Sequence, residues 1–510
     1  MRSRLVPALA LALSPLAAAQ ELSYSGGVLG KQITYTVTGN PGALYALVPS
    51  FQTGPTPLAL IDPGNPGLLQ VGIDLSALWT FGNLFGGTSS TVFPLPTSAA
   101  LHGMPLYAQA VYITLAPSFF GAVSNRVDMT LGLGGESELT LGSPHLNRLG
   151  QTMTALEDGR VLLAAGADFS IPPSGPLTDT LEVYDPQTES FELLSSVLPV
   201  ARTGHVAVEL ADGRVLILGG ADSNAMGLKN AEVFDPATDS VTAVAPMLEQ
   251  RALPVAVLLS DGRVFVSGGA QVYDQTNLLN TFGSATQKTE IYDPVANTWS
   301  PGPDLPQPRL AHGGSLLPDG RVLLTGGLEV QVVFGVPFPT VSDDCRLYDP
   351  SGNTLAPAAP LPQAGGLHAQ ITRSTGEVYV AGGATVTFPL LAVTPFNQVY
   401  SYSPAVDAWT VRPSMNVARG YLGLFETQDR LWAIGGVSGV VVATSAFTPS
   451  VAVESLGDPL QPWTQHGNMV EGRDLSTTVL LEDLERLFTA GTISPEGANM
   501  VINAEAFYLP

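Results

Sequence analysis

Three histidines of this 510-residue chain recur at one place in successive stretches of related sequence: His205, His312 and His368. Imidazoles gathered near an axis could ligate a metal. The equivalent positions elsewhere hold Gln151, Pro254, Leu422 and Ser476. A metal needs a fixed donor set, so packing is the expected role, with no metal and no other cofactor. The single cysteine, Cys345, excludes an intrachain disulfide and reads as a small buried strand residue. Arginines form a second series. Arg148, Arg202, Arg251, Arg309 and Arg473 each stand ten residues before a turn position; Arg419 is one residue off that register, and Gly365 fills the seventh place. Together they would gather around one mouth of an axial channel as a positive collar. One use of such guanidinium forks is to bind an anion or an acidic sugar. The other is to bond carbonyls or an acid of a neighbouring structural unit. Recurrence in nearly every copy favours the structural use. No hydrolase elbow, phosphate loop or calcium-loop spacing is present.

The elements that position these residues are repeated. Asp158-Gly159-Arg160-Val161, Asp212-Gly213-Arg214-Val215, Asp261-Gly262-Arg263-Val264 and Asp319-Gly320-Arg321-Val322 are nearly one sentence. Eight residues after each aspartate comes a glycine: Gly166, Gly220, Gly269 and Gly327. The same offset finds Gly383, Gly436 and Gly491 in three weaker copies. Each copy continues to an aromatic-Asp-Pro turn, as in Tyr184-Asp185-Pro186 and Tyr292-Asp293-Pro294. A large apolar residue such as Trp299 or Trp409 follows. Asp-Gly between apolar runs signals a hairpin, Gly-Gly ends a strand where backbones pass closely, and Asp-Pro starts a further turn. One copy is thus a four-stranded antiparallel meander. Apolar on both faces, it must stack on other copies of itself.

Arginine, Asp-Gly-Arg-Val, Gly-Gly, Tyr-Asp-Pro and Trp at a period near fifty residues resemble the Kelch repeat over residues 136–510. That resemblance implies an all-β, seven-bladed Kelch β-propeller of a secreted bacterial type. Ser137-Glu138-Leu139-Thr140-Leu141 is expected to supply the last strand of the seventh blade, because the chain ends in Ala504 to Pro510, which reads as a third strand. The galactose-oxidase-like copper enzymes share such a propeller and are the alternative reading. Their site needs a Cys cross-linked to a Tyr, a second Tyr, two His and a further domain. Cys345 falls on a third strand, and no Tyr-His pair is found.

Residues 20–135 do not follow the repeat. Alternating runs such as Gln32 to Val37 and Tyr107 to Leu115 suggest a small β-sandwich-like domain, with Trp79 a core aromatic. Residues 1–19 read as an export signal: Arg2 and Arg4, an apolar run from Leu5 to Leu16, then Ala17, Ala18 and Ala19 before Gln20. No segment is long and apolar enough for a transmembrane helix. The formal charge of −23, with only three lysines, disfavours nucleic acid and anionic lipid as partners. The expectation is a secreted, non-enzymatic binding protein. Its ligand would be an extracellular protein or carbohydrate, met by the variable loops after each Gly-Gly: 167–180, 221–230, 270–288, 328–344 and 384–397.

Overall fold

The computed structural model describes residues 21–510, apart from 64, 76–77, 115–118, 169–174, 275, 334–335, 388–391, 428–429, 442–445, 471–477 and 491–503. The export signal at 1–19, Arg473 and Ser476 therefore lie outside the described residues. The chain divides into two compact units, Met1–Leu131 and Gly132–Pro510. Among the described residues no helix is long and apolar enough to cross a membrane.

In the first unit Glu21–Gly26, Gln32–Thr38 and Thr88–Pro94 form one antiparallel sheet. Phe120–Thr130, Pro105–Ile113, Leu44–Ser50 and Thr80–Asn83 form another. Alternation sends Leu22, Tyr24, Ile33, Tyr35 and Val37 inward on the first sheet, and Tyr45 of the second reaches Ser89 through its hydroxyl at 3.0 Å. Trp79 packs edge-on against Phe120 in an apolar cluster with Val48, Leu69 and Val71.

The second unit is a Kelch-type β-propeller. Among its described residues are seven four-stranded antiparallel meanders, numbered here as sheets 1 to 7 in the order of their first strands. Sheet 1 comprises Thr152–Ala155, Val161–Ala164, Thr180–Asp185 and Ser190–Val197. Sheets 2 to 6 repeat that order, beginning at Thr203, Val255, Gly313, Ala369 and Gly423. Sheet 7 takes three strands from the end of the chain, Thr478–Leu481, Arg486–Ala490 and Ala504–Tyr508. Its fourth is Ser137–Leu139, paired through Ser137 with Phe507 and Leu139 with Glu505. The first strands meet one another in a closed cycle that returns from sheet 7 to sheet 1.

Apolar layers fill the joints between sheets. Leu162, Leu181 and Val183 of sheet 1 pack on Val215, Ile217 and Phe234 of sheet 2, and Trp432 and Val453 of sheet 6 on Leu487 and Phe507 of sheet 7. Between sheets 7 and 1, Phe488 stacks on Tyr184 at 4.1 Å and Arg486 pairs with Glu189 at 2.9 Å. The turn aspartates accept from the backbone two residues ahead, as Asp235 does from Ala237 and Asp349 from Ser351, both at 2.9 Å. The indoles that follow reach the preceding sheet: Trp299 donates to the Ala245 carbonyl at 2.7 Å and Trp409 to that of Ala359 at 2.8 Å.

Removal of the Ser137–Leu139 strand re-exposes the ladder edge of Ala504–Tyr508. Replacing Ser137-Glu138-Leu139 by Pro-Gly-Pro in the full chain is expected to lower the melting temperature of the propeller by several degrees. Calorimetry checks this; an unchanged transition would count against closure by this strand.

Candidate functional site

The described members of the arginine series, Arg148, Arg202, Arg251, Arg309 and Arg419, have no more than 1% of their surface exposed. Each is neutralised by a carboxylate. Arg148 meets Glu182 at 3.0 Å, Arg202 meets Glu232 at 2.9 Å, Arg419 meets Glu454 at 3.1 Å, and Arg251 meets Glu290. Each of these glutamates lies on the third strand of the arginine's own sheet, second in it for Glu232, Glu290 and Glu454 and third for Glu182. The expected acid of a neighbouring sheet is thus corrected to an acid of the same sheet. A guanidinium sitting ahead of the first strand reaches across its own meander to the third. The positive collar is corrected too: these five guanidiniums are covered and paired.

Three of these carboxylates accept further bonds. Glu182 also accepts from the backbone N–H groups of His145 and Leu146, Glu290 from Leu248 and Glu249, and Glu454 from Asn416 and Val417. The arginines also bond carbonyls through Nη1, Arg251 those of Gly268 and Lys288, and Arg148 those of Ala165 and Thr180. Burial pulls the pKa of Arg148 and Arg251 down and that of Arg419 to about 10, with the partner carboxylate opposing the fall.

Sheets 4 and 5 test this pairing within one chain. In sheet 4 the glutamate place holds Arg346, and Arg309 instead bonds Asp344 and Glu329, both at 2.5 Å. In sheet 5 Gly365 replaces the arginine and Tyr400 the glutamate. The recurrent glutamate, two residues before the aromatic of the Asp-Pro turn, is the signal that sequence reading passed over.

The same positions stitch sheet to sheet through the backbone. The amides of Gly166, Gly220, Gly269 and Gly383 donate to the carbonyls of Arg202, Arg251, Arg309 and Arg419 of the next sheet at 2.9–3.0 Å. These glycines have φ between 91° and 120°. A Cβ on the preceding glycine would fall 2.5 Å from the Arg251 carbonyl oxygen at Gly219 and 2.4 Å from that of Arg309 at Gly268.

The histidines also join neighbours. His205 Nε2 lies 3.0 Å from Thr152 Oγ1, His312 Nε2 2.8 Å from Ser267 Oγ, and His368 Nε2 2.9 Å from Thr325 Oγ1, in each case a hydroxyl of the preceding sheet. Burial pulls the His205 pKa down to about 3 and His368 to about 4, and His312 well below its usual value. Among the described residues no three His, Cys, Asp or Glu side chains are grouped to hold a metal ion. Cys345 is buried in the apolar layer between sheets 4 and 5, and burial pushes its thiol up to about 12.

The variable loops after the Gly-Gly lie on the arginine side of the ring and bond to one another. Met226 of the sheet 2 loop bridges to Val272 of the sheet 3 loop. The sheet 3 loop carries a short helix, Leu278–Gly283, begun by Asn277, whose side chain accepts from the Leu279 amide. Two stretches expected as loops are hairpins: Leu328–Val333 with Val336–Val341, and Ala384–Thr387 with Ala392–Pro395. A third, Val437–Val441 with Ala446–Pro449, joins the second through Val393 and Val440. Phe282, Leu310, Leu328 and Val330 form an apolar cluster under this rim.

Comparison with known proteins agrees with this architecture. No profile of a known protein family matches the chain. Beta-scruin of Limulus polyphemus is 30% identical over 156 residues, 30% of this chain and 16% of that protein. Kelch-like protein 36 of Mus musculus is 30% identical over 307 residues, 59% of this chain and 46% of that one. Its Bos taurus counterpart is 25% identical over 284 residues, 54% and 42% of the two chains. The chain thus spans less than half the length of these curated relatives. A solved fungal alcohol oxidase in complex with copper superposes with a TM-score of 0.53 at 17% identity over 72% of this chain and 74% of its own, a likeness of fold. These similarities support a Kelch-repeat propeller.

Two predictions follow from the buried groups. Glu290→Ala strands a buried guanidinium and is expected to cost about 3–5 kcal/mol. Asp212→Ala, which breaks the exposed pair with Arg214, is expected to cost about 0–1 kcal/mol. Urea denaturation of both variants measures the contrast. For the histidines, folded-state pKa values below the free value of 6.5 mean that the unfolded chain binds protons first. Their contribution is complete above about pH 6.5 and falls with pH toward the folded values, by up to about 1.4 kcal/mol per pH unit per ring. Denaturation between pH 6 and 5 should show a smaller loss of stability with falling pH for His205→Gln with His312→Gln than for the parent chain.

Proposed function

We propose that this Kelch-type propeller is an exported, non-enzymatic binding protein that recognises a protein partner through the loops following each Gly-Gly. One observation carries the reading. The strands, arginines, glycines and turns recur from sheet to sheet, whereas the loops of sheets 2 to 6 differ in build, a tight turn, a helix and three hairpins, and bond to one another between sheets 2 and 3 and between sheets 5 and 6. A constant scaffold under divergent loops is the arrangement of a recognition surface. The Kelch-like relatives favour a protein as partner. Export is supported by the sequence of residues 1–19, and the acidic balance suits a partner without nucleic acid.

The copper-oxidase alternative has the fold likeness behind it, but the residues speak against it. Cys345 sits in a joint between sheets with a thiol of high pKa, and the recurrent histidines are bonded to hydroxyls of neighbouring sheets.

The test is capture by the immobilised full-length mature protein from the extracellular fraction of its source, quantified by mass spectrometry. Parallel variants have the hairpins at 328–341, 384–395 and 437–449 shortened to Gly-Ser turns. Specific partners are expected to be lost at least tenfold with the melting temperature kept within a few degrees. Capture indifferent to the loops, or alcohol oxidation after copper loading, would overturn the reading.

A further inference from the structure

Charge is spread unevenly along this chain. Residues 21–131 hold only six Asp, Glu, Lys or Arg: Glu21, Lys31, Asp62, Asp74, Arg126 and Asp128. Between Asp74 and Arg126 there is none. Residues 132–510, by contrast, hold 40 acidic against 17 basic side chains. The charge-free stretch also carries the exposed phenylalanines of the described residues, Phe81, Phe85 and Phe119, of which Phe81 is 64% and Phe85 83% exposed.

Two strands of this stretch are sheet edges. Thr88–Pro94 pairs with Gln32–Thr38 alone, in unbroken register from Thr88 opposite Thr38 to Pro94 opposite Gln32. Thr80–Asn83, in the other sheet of the first unit, pairs with Leu44–Ser50 alone. Tyr45 shows that these two edges flank one another. Its hydroxyl oxygen lies 2.6 Å from where a Cβ on Gly82 would be, 3.0 Å from Ser89 Oγ and 3.3 Å from Thr91 Oγ1. The opposite edge of the first sheet is closed. There the Asn125 side-chain amide accepts from Leu22 N–H at 2.7 Å and donates to the Leu22 carbonyl at 2.8 Å. Thr88–Pro94 has no such cover: among the described residues its backbone makes no bond outside its own ladder. Edges are ordinarily blunted by charge, proline or a bulge. This one has no charge, no register shift, and proline only as its last residue.

We propose that this edge pairs with the same edge of a second copy of the chain, Thr88–Pro94 running antiparallel to itself across a two-fold axis and joining two three-stranded sheets into one of six. This goes beyond the loop-mediated binding proposed above and does not depend on it. The charge distribution selects the partner. A chain of charge −23 repels its own copies and draws cations. On this edge no carboxylate is available to a cation, and no like charge opposes a second copy. The copy also brings the matching strand, seven uncharged residues that alternate exposed Thr88, Ser90, Val92 and Pro94 with half-buried Ser89, Thr91 and Phe93. With Thr91 on the axis, Ser90 of one copy lies opposite Val92 of the other on the exposed side. The ladder would span about 23 Å. Phe81 and Phe85, on and just after the flanking edge strand, add apolar surface toward the about 1,200 Å² that a specific interface buries.

The experiment is sedimentation equilibrium of the full-length mature protein from about 1 to about 100 μM, in about 0.1 M and about 1 M NaCl. A monomer–dimer equilibrium is expected. It should tighten at the higher salt, because screening removes repulsion between the acidic second units while the edge contact holds no ion pair. Ser90→Lys with Val92→Lys sets like charges opposite one another and is expected to weaken association at least tenfold. Both side chains are exposed, so the melting temperature should stay within a few degrees. Phe85→Ser lies outside the ladder and is expected to weaken association too, which keeps the test intact if the lysine variant folds poorly. A monomer at every concentration overturns the proposal. So does a dimer indifferent to both variants, or association that falls as salt rises, the mark of a charged contact elsewhere. A parent chain that stays monomeric yet captures an extracellular protein that the lysine variant loses would give the edge to a foreign strand, and the second copy falls.

Discussion

A guanidinium shut away from water must be neutralised and hydrogen-bonded where it sits. In this propeller that requirement is met four times by the same device among the described residues, a glutamate from the third strand of the arginine's own sheet. The side chain crosses from the segment ahead of the first strand toward the third, locking the inner and middle parts of a meander together. The arginine's backbone carbonyl meanwhile receives the amide of Gly166, Gly220, Gly269 or Gly383 of the preceding sheet in the joints from sheet 1 to 2, 2 to 3, 3 to 4 and 5 to 6. One residue therefore fixes the inside of a sheet with its charge and the joint to the next sheet with its peptide group. Glycine at Gly219 and Gly268 leaves room for that carbonyl, where a Cβ would fall within 2.5 Å of it.

The exceptions follow from the same physics. A sheet without the arginine has no need of the acid, and sheet 5 lacks both, with Gly365 and Tyr400 in their places. Sheet 4 has an arginine at the acid position, so two further carboxylates, Asp344 and Glu329, gather at its guanidiniums. Glu329 lies on a loop hairpin, which ties the loop of that sheet directly to the scaffold beneath it. With sheets locked in this way, loops of very different build can be carried on one side without disturbing the joints. Apolar layers and reaching indoles hold those joints further out.

Much of this was written in local sequence. The repeat, its Asp-Gly and Asp-Pro turns, the Gly-Gly pairs and the missing fourth strand all depend on residues within one period, where backbone preference and alternation act directly. The buried aromatics Tyr184, Tyr292, Tyr348 and Tyr402 could be named in the same way. The glutamate partners were legible in principle, since Glu182, Glu232 and Glu290 each stand two residues before the aromatic of their turn. They were overlooked because a charged residue on a strand ordinarily marks its solvent face. The three loop hairpins were hidden by variation: hydrogen bonds between neighbouring loops, rather than a repeated motif, shape them.

The amino-acid sequence by itself determined the repeating meander and the series of arginines ahead of it, because turn chemistry and strand patterning need only nearby residues. Only the tertiary structure decided what those arginines do. Whether a guanidinium is an exposed cation or a buried one depends on which carboxylate the folded sheet brings within 3 Å, as it brings Glu182 to Arg148. The pairing of Ser137–Leu139 with Ala504–Tyr508 is likewise a product of closure. Residues far apart in the chain face one another because stacked sheets, apolar on both sides, can bury their surfaces only by going all the way round.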